Sequence, residues 1–253
     1  MLLVQISDVH CGPQFQPEVF ETAVDEINSL NPDALIVLGD LTEDGLLTEF
    51  QMAKKKLNGF HIKNLIVCSG NHDYRSTGYL LFQQFFPFKQ VTEIADAVIV
   101  LLSSARPDRD DGEVGHRQNL WLKRTLSRYH DRYKIVAIHH HLVPVPDTGL
   151  DLITVVDAGD VLLSLIHAKV NLVLCGHRHR PWRWQLENFP IVHSGTVSSK
   201  RFRGFFRNSY NIINIEDGKV DAELKIVGGE TIKFDKIVAE KTSTIGTIWK
   251  QRE

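Results

Sequence analysis

Five short apolar runs, at residues 2–7, 34–38, 65–68, 135–138 and 172–175, are each followed within three residues by a side chain able to bind a cation. They lead into Asp8-Val9-His10, Gly39-Asp40, Gly70-Asn71-His72-Asp73, His139-His140-His141 and Gly176-His177-Arg178-His179. Short, unbroken apolar runs read as strands buried on both faces, the pattern of parallel sheets. Parallel neighbours need a crossover segment, normally a helix. The chain is therefore expected to alternate strand and helix. Its ligand-type residues should gather outside the carboxyl ends of the strands, where open α/β sheets place their sites. Any one of these clusters could be an ordinary turn or a structural histidine; their common position at strand ends is what points to chemistry.

The segments between the runs agree. Pro17 opens a helix with Val19, Phe20, Ala23, Val24, Ile27 and Leu30 on one face, and Asn31-Pro32 stops it. Leu46, Leu47, Phe50, Ala53 and Leu57 mark a second amphipathic helix, with Lys54, Lys55 and Lys56 in its last turn and Asn58-Gly59 at its end. Residues 97–102 form a further strand, and helices are expected at about 117–128 and 157–168. After Cys175 the chain changes character. Residues 182–186, 191–193, 210–215, 222–227 and 231–234 read as strands joined by turns. The pattern predicts a layered α/β core closed by a mostly antiparallel second sheet. It places one domain over residues 1–237 and a C-terminal extension over 238–253.

Composition excludes more than it selects. A net charge of -2 gives no general attraction to nucleic acid or anionic membranes. The amino-terminal apolar run lacks a basic region and is cut short by Asp8, unlike a signal peptide, and no apolar stretch is long enough to span a bilayer. Cys11, Cys68 and Cys175 are widely spaced and odd in number, which argues for a reducing, cytoplasmic setting.

Taken in order, Asp8-x-His10, Gly39-Asp40-Leu41, Gly70-Asn71-His72-Asp73, the three histidines and Gly176-His177-x-His179 resemble the calcineurin-like metallophosphoesterase superfamily. The small size and the run His139-His140-His141-Leu142-Val143-Pro144 resemble its class III cyclic-nucleotide phosphodiesterase branch. The resemblance implies a four-layer α/β/β/α sandwich and two metal ions. Asp8, His10 and His179 would hold the first, Asp40 would bridge, and Asn71, one adjacent histidine and His177 would hold the second. Spacing to the usual proline favours His140, with His139 next; on a strand, His139 and His141 face away from His140. Imidazole and carboxylate donors suit Mn, Fe, Zn or Co better than Mg. A hydroxide shared by two metals would attack phosphorus, and His72 would protonate the leaving oxygen. Asp73 fits a turn role.

The substrate is less constrained. Arg178 lies between two candidate ligands and can meet a phosphate or pair with a surface carboxylate. Arg201 and Arg203 belong to Lys200-Arg201-Phe202-Arg203-Gly204-Phe205-Phe206-Arg207, either a phosphate clamp and stacking platform or a solvated loop. Hydrolysis of small phosphodiesters, with 3',5'-cyclic nucleotides foremost, is the leading expectation. A phosphomonoesterase or nuclease would use the same metals, and a metal-free scaffold is the rival of another class. A homodimer is compatible with the resemblance, although no heptad or stripe specifies one.

Overall fold

The computed structural model describes residues 1–86, 91–149, 154–186 and 188–237; the extension expected at 238–253 lies outside them. In chain order the elements are β1 (Leu2–Ile6), α1 (Pro17–Leu30), β2 (Ala34–Leu38), α2 (Leu47–Leu57), β3 (Leu65–Cys68), α3 (Gly78–Phe85), β4 (Val91–Ile94), β5 (Ala97–Leu102) and α4 (His116–Arg128). They continue with β6 (Tyr133–Ile138), α5 (Ala158–His167), β7 (Leu172–Cys175), β8 (Trp182–Leu186), β9 (Phe189–His193), β10 (Ser209–Glu216), β11 (Lys219–Ile226) and β12 (Thr231–Lys233).

Helix boundaries follow local chemistry. Pro17 starts α1, where a missing N–H costs nothing. Asn31 ends it in the left-handed conformation, its N–H donating to the Asn28 carbonyl, and Pro32 prevents continuation. At the start of α2, the Glu49 carboxylate accepts from the N–H groups of Asp44 (2.8 Å) and Leu46 (3.2 Å), satisfying donors that the helix leaves open.

Two six-stranded sheets run in the orders β12-β11-β10-β1-β2-β3 and β4-β5-β6-β7-β9-β8. Their centres are parallel, β1-β2-β3 in one and β5-β6-β7-β9 in the other. The strands after Cys175 do not form a sheet of their own: β8 and β9 complete the second sheet, while β10–β12 extend the first antiparallel to β1. Alternation explains the layers. Ile36 and Leu38 pack between the sheets with Ile99, Leu101, Ile135 and Ala137. Leu35 and Val37 turn outward to Phe20, Ile27 and Phe50 of α1 and α2. In the second sheet Val136 and Ile138 turn outward to Leu122, Leu126 and Leu165 of α4 and α5. The result is the α/β/β/α sandwich.

A buried polar bridge aligns the two sheets. The Gln5 side-chain amide of β1 donates to the carbonyls of Cys175 (2.9 Å) and Val192 (3.3 Å) in the other sheet, and Asn211 donates to the Gln5 side-chain oxygen at 3.0 Å. The carboxyl ends of β1 and β7, which carry the first and last ligand clusters, are thereby held face to face.

Candidate metal centre

The chain leaves these strand ends by sharp turns. Asp8, His10, Asp40, His177 and His179 all adopt positive φ, at 56°, 53°, 51°, 78° and 53°. That conformation is unfavourable for residues with a Cβ and persists only where the surroundings hold it. Here the holding bonds run between turns: Asp8 N–H donates to the Gly39 carbonyl at 3.0 Å, His10 N–H to the Asp40 carbonyl at 2.8 Å, and His177 N–H to Asp8 Oδ2 at 3.0 Å. Gly70 makes room, since a Cβ there would stand 2.1 Å from Asp40 Oδ1.

The side chains converge. His10 Nε2 faces His179 Nε2 at 3.0 Å, and Asp8 Oδ1 lies 3.3 Å from His179 Nε2. Asp40 stands at the centre, its Oδ2 3.8 Å from His10 Nε2 and 3.4 Å from His139 Nε2, while its Oδ1 accepts from the His72 N–H at 2.9 Å. Asn71 Oδ1 faces His139 Nε2 (3.1 Å) and His177 Nδ1 (3.0 Å), and its Nδ2 donates outward to Asp110 at 3.1 Å.

The three histidines differ in their partners. His139 continues the parity of Ala137, which packs between the sheets, and so reaches Asp40 and Asn71. Its Nδ1–H donates to the Leu38 carbonyl at 2.6 Å, leaving Nε2 as the lone-pair nitrogen. His140, favoured by sequence spacing, follows the end of the strand at Ile138, and its ring lies 4.4 Å from that of His177. It lies close to His139 and His177, yet its Nδ1 pairs with the Ser104 hydroxyl (2.8 Å) and its Nε2 with the Asp110 carbonyl (3.3 Å). His139, His140 and His177 together form one buried set with donor atoms within 4.8 Å. His141 pairs its Nε2 with the Gly176 carbonyl at 2.7 Å and packs on His193.

Electrostatics mark the same core. Burial pushes the Asp40 carboxyl up, but His139, His72 and His10 overcome it and hold the group well below the usual carboxylate range. Burial lowers His139, and the Asp40 carboxylate more than reverses this, raising it to about 9. Burial alone dominates at His10 and His140, lowered to about 4 and about 3. Asp73 is raised to about 7 by burial and by Asp40; it accepts from the N–H groups of Gly70 and Thr42 and the Thr42 hydroxyl, so it braces the turn.

The donors fit metal ions. They form tight buried sets, Asp8 with His10 and His179, and Asp8 with Asp40 and His139, each within 4.8 Å. Asp8 Oδ1 is buried without a hydrogen-bond partner, a costly state that a cation would relieve.

Glu43 escaped the sequence reading. It is nearly buried, and its carboxylate meets Arg201 Nη1 at 2.8 Å and His10 Nδ1 at 3.1 Å. Its carbonyl accepts from His72 Nδ1 at 2.6 Å, which turns the other ring nitrogen of His72 toward the cleft. Burial raises the Glu43 carboxyl, but His10, His72 and Arg201 bring it down to about 2. The only available signal was an acid three residues after Asp40. Glu43→Gln is expected to weaken metal affinity by about tenfold to a hundredfold, the usual effect of losing an outer carboxylate behind a ligating histidine. A chelator competition titration measures this, and unchanged affinity would sever the link to His10.

Arg178, Arg201 and Arg203 all line the cleft above His72, joined by Arg75 and Asp110, which the sequence did not single out. Arg178 donates to the Thr148 carbonyl, and the Arg201 carbonyl pairs with His179 Nδ1. Arg75 bridges the Glu43 carbonyl (3.1 Å) and Asp110 (3.2 Å).

Known proteins resemble this chain in sequence and in fold. Residues 1–181 match the family model described as calcineurin-like phosphoesterase. The chain is 30% identical over 202 residues to a probable cyclic nucleotide phosphodiesterase of Moraxella catarrhalis, covering 70% of this chain and 71% of that one. It is 27% identical over 193 residues to the 3',5'-cyclic adenosine monophosphate phosphodiesterase CpdA of Escherichia coli, covering 70% and 69%. In fold it resembles a dimetal phosphatase from Danio rerio, with a TM-score of 0.70 at 14% identity over 92% of this chain and 99% of that one. Motif order, the paired His/Asp clusters and the matched length lead to one conclusion: the chain belongs to the calcineurin-like phosphoesterase family, and it is a metal-dependent phosphoesterase.

Proposed function

We propose that the protein hydrolyses phosphodiester bonds in small substrates, with 3',5'-cyclic nucleotides as the foremost class. The observation that carries the reading is Asp40 standing between His10 and His139, with His72 directly beside it. Asp8, His10 and His179 would hold one cation, Asn71, His139 and His177 the other, and Asp40 both. The nitrogen and oxygen donors favour Mn, Fe, Zn or Co. Such cations neutralise phosphoryl charge and lower the pKa of water. The protein supplies the rest. The Glu43 carbonyl fixes the His72 ring, which presents a proton to the departing oxygen. Arg178, Arg201 and Arg203 orient the phosphate from the rim. The names of the relatives from Moraxella catarrhalis and Escherichia coli support the diester and cyclic-nucleotide assignment.

Hydrolysis by protein reconstituted with each metal, comparing bis-p-nitrophenyl phosphate with p-nitrophenyl phosphate, tests the reading. Faster turnover of the diester is expected; turnover of the monoester alone would make the protein a phosphomonoesterase. The ligand assignment has its own check. His139→Ala is expected to lower the affinity for the second metal at least about tenfold more than His140→Ala, because only His139 offers a free lone pair to the Asp40–Asn71 pair. Equal losses in a metal titration would restore His140 as a ligand.

A reducing, cytoplasmic setting is proposed on separate grounds. Cys11, Cys68 and Cys175 are buried free thiols, and burial pushes Cys11 and Cys175 up to about 12. Among the described residues no helix is long and apolar enough to cross a membrane.

A further inference from the structure

We propose that Arg180 is a positioning residue: its buried guanidinium, set over the rings of Trp182 and Phe205, seats the loop that brings Arg203 to the cleft. The inference rests on the phosphodiesterase reading, in which Arg203 orients the phosphate.

Arg180 directly follows the candidate ligand His179 and is 1% exposed. A guanidinium carries five N–H donors in a planar fork. Burial lowers its pKa only to about 10, so at neutral pH the buried group is a cation. Burying such a charge is costly unless something compensates it. Among the described residues Arg180 makes no hydrogen bond and no ion pair, and its Nε is buried without a partner. It meets two aromatic rings instead. Its guanidinium carbon lies 5.2 Å from the ring centre of Trp182 and 6.0 Å from that of Phe205. Aromatic faces attract a cation, and more strongly where water is excluded.

The two rings belong to different parts of the molecule. Trp182 is buried in β8, whereas half-buried Phe205 stands in the 200–207 loop, so the guanidinium joins loop to sheet. The loop's ends have hydrogen bonds of their own. The Arg201 carbonyl pairs with His179 Nδ1, the Arg201 guanidinium meets Glu43 at 2.8 Å, and Asn208 donates to the Ser199 carbonyl at 2.9 Å. Residues 202–206 between them make no hydrogen bond among the described residues, so packing holds the tip. Gly204, at φ +62°, lies so close that a Cβ there would stand 3.4 Å from Arg180 Cδ and Nε and 2.8 Å from Asp147 Cβ. Arg207 also approaches the Phe205 ring, at 5.6 Å, but it is exposed and its pull is screened. Arg203 immediately precedes this seat. Its exposed side chain lines the cleft, and its place is set by the backbone of Gly204 and Phe205.

The test uses the manganese-loaded protein, with bis-p-nitrophenyl phosphate as substrate and trypsin cleavage after Arg203 as a measure of loop order that needs no turnover. Arg180→Met keeps the bulk and removes the charge. The melting temperature should not fall, because a buried charge without an anionic partner is what disappears. Cleavage after Arg203 should be about tenfold faster and KM about tenfold higher, the scale of one desolvated cation–ring contact, with kcat little changed. Arg180→Lys keeps the cation without the planar fork and should recover part of both effects. Phe205→Leu removes the ring on the loop side and should act alike; the double variant with Arg180→Met should go no further than either alone. Should Arg180→Met not fold, Phe205→Leu carries the test. Unchanged cleavage or unchanged KM in the folded single variants, additive effects in the double, or a KM shift that persists on an Arg203→Gln background would overturn the proposal. Should the diester not be turned over, the diesterase reading fails on its own; calorimetric affinity for inorganic phosphate then replaces KM, with the same outcomes.

Discussion

Asp40→Asn should reduce phosphodiester hydrolysis by about a thousandfold and lower the bound metal below two ions per chain. The side chain keeps its shape, so the fold has no steric reason to change. The charge is what disappears. Asp40 is buried and lies within 3.8 Å of His10 and 3.4 Å of His139. Losing one preorganised electrostatic contact to the transition state costs about 2.7–4 kcal/mol, and about 1.4 kcal/mol corresponds to tenfold in rate. Metal analysis together with kcat checks the result; two bound ions and full turnover in the variant would remove Asp40 from the centre. A pH signature accompanies it in the metal-free protein. His139 is raised from 6.5 to about 9, so its contribution to stability is complete below pH 6.5 and lost as pH rises through about 9. Asp40 is depressed below 3.8, so its contribution is present above that pH and lost as pH falls. Both are complete between pH 3.8 and 6.5. Asp40→Asn should lower the melting temperature within that window and flatten its decline below pH 3.8 and from pH 6.5 to about 9.

His72→Ala should lower kcat by about a hundredfold to ten-thousandfold, the range for losing a positioned general acid. The loss should depend on the leaving group. A p-nitrophenolate departs without a proton, whereas the alkoxide of a nucleotide needs one. The variant should retain much of its activity toward p-nitrophenyl esters and little toward alkyl esters. A loss of equal size for both would mean that His72 acts on metal or phosphate rather than on the leaving oxygen. Its geometry favours action on the leaving oxygen, since both its backbone N–H and its Nδ1 are committed, to Asp40 and to the Glu43 carbonyl. One ring nitrogen alone remains for the cleft.

Much of this was legible in the chain. The helix expected from Pro17 to Leu30 forms over those residues, because its apolar spacing and its two end signals are local. The strands before Asp8, Asp40, Asn71, His139 and His177 form for the same reason, and their polar ends meet because parallel strands terminate on one side. Glu43, Arg75 and Asp110 were not legible. Each acts through partners remote in sequence: Glu43 and Arg201 are 158 residues apart, and Arg75 and Asp110 are 35 apart. The sheet membership of the last strands was likewise hidden, since a strand's composition expresses its tendency to pair and not the identity of its neighbour.

The three histidines show where the boundary falls. Residue order alone predicts that His140 faces away from His139 and His141, because side chains alternate along a strand; the strand stops at Ile138, and the His140 ring lies 5.0 Å from that of His139 and 4.4 Å from that of His177. Which face of β6 meets the strand ends bearing Asp40 and Asn71 was decided only when the second sheet packed against the first. That packing turned the Ala137 side inward to the strand ends bearing Asp40 and Asn71, and turned the Ile138 side outward to the helices. A period of two defines two faces, and only a neighbouring layer makes one of them the inside.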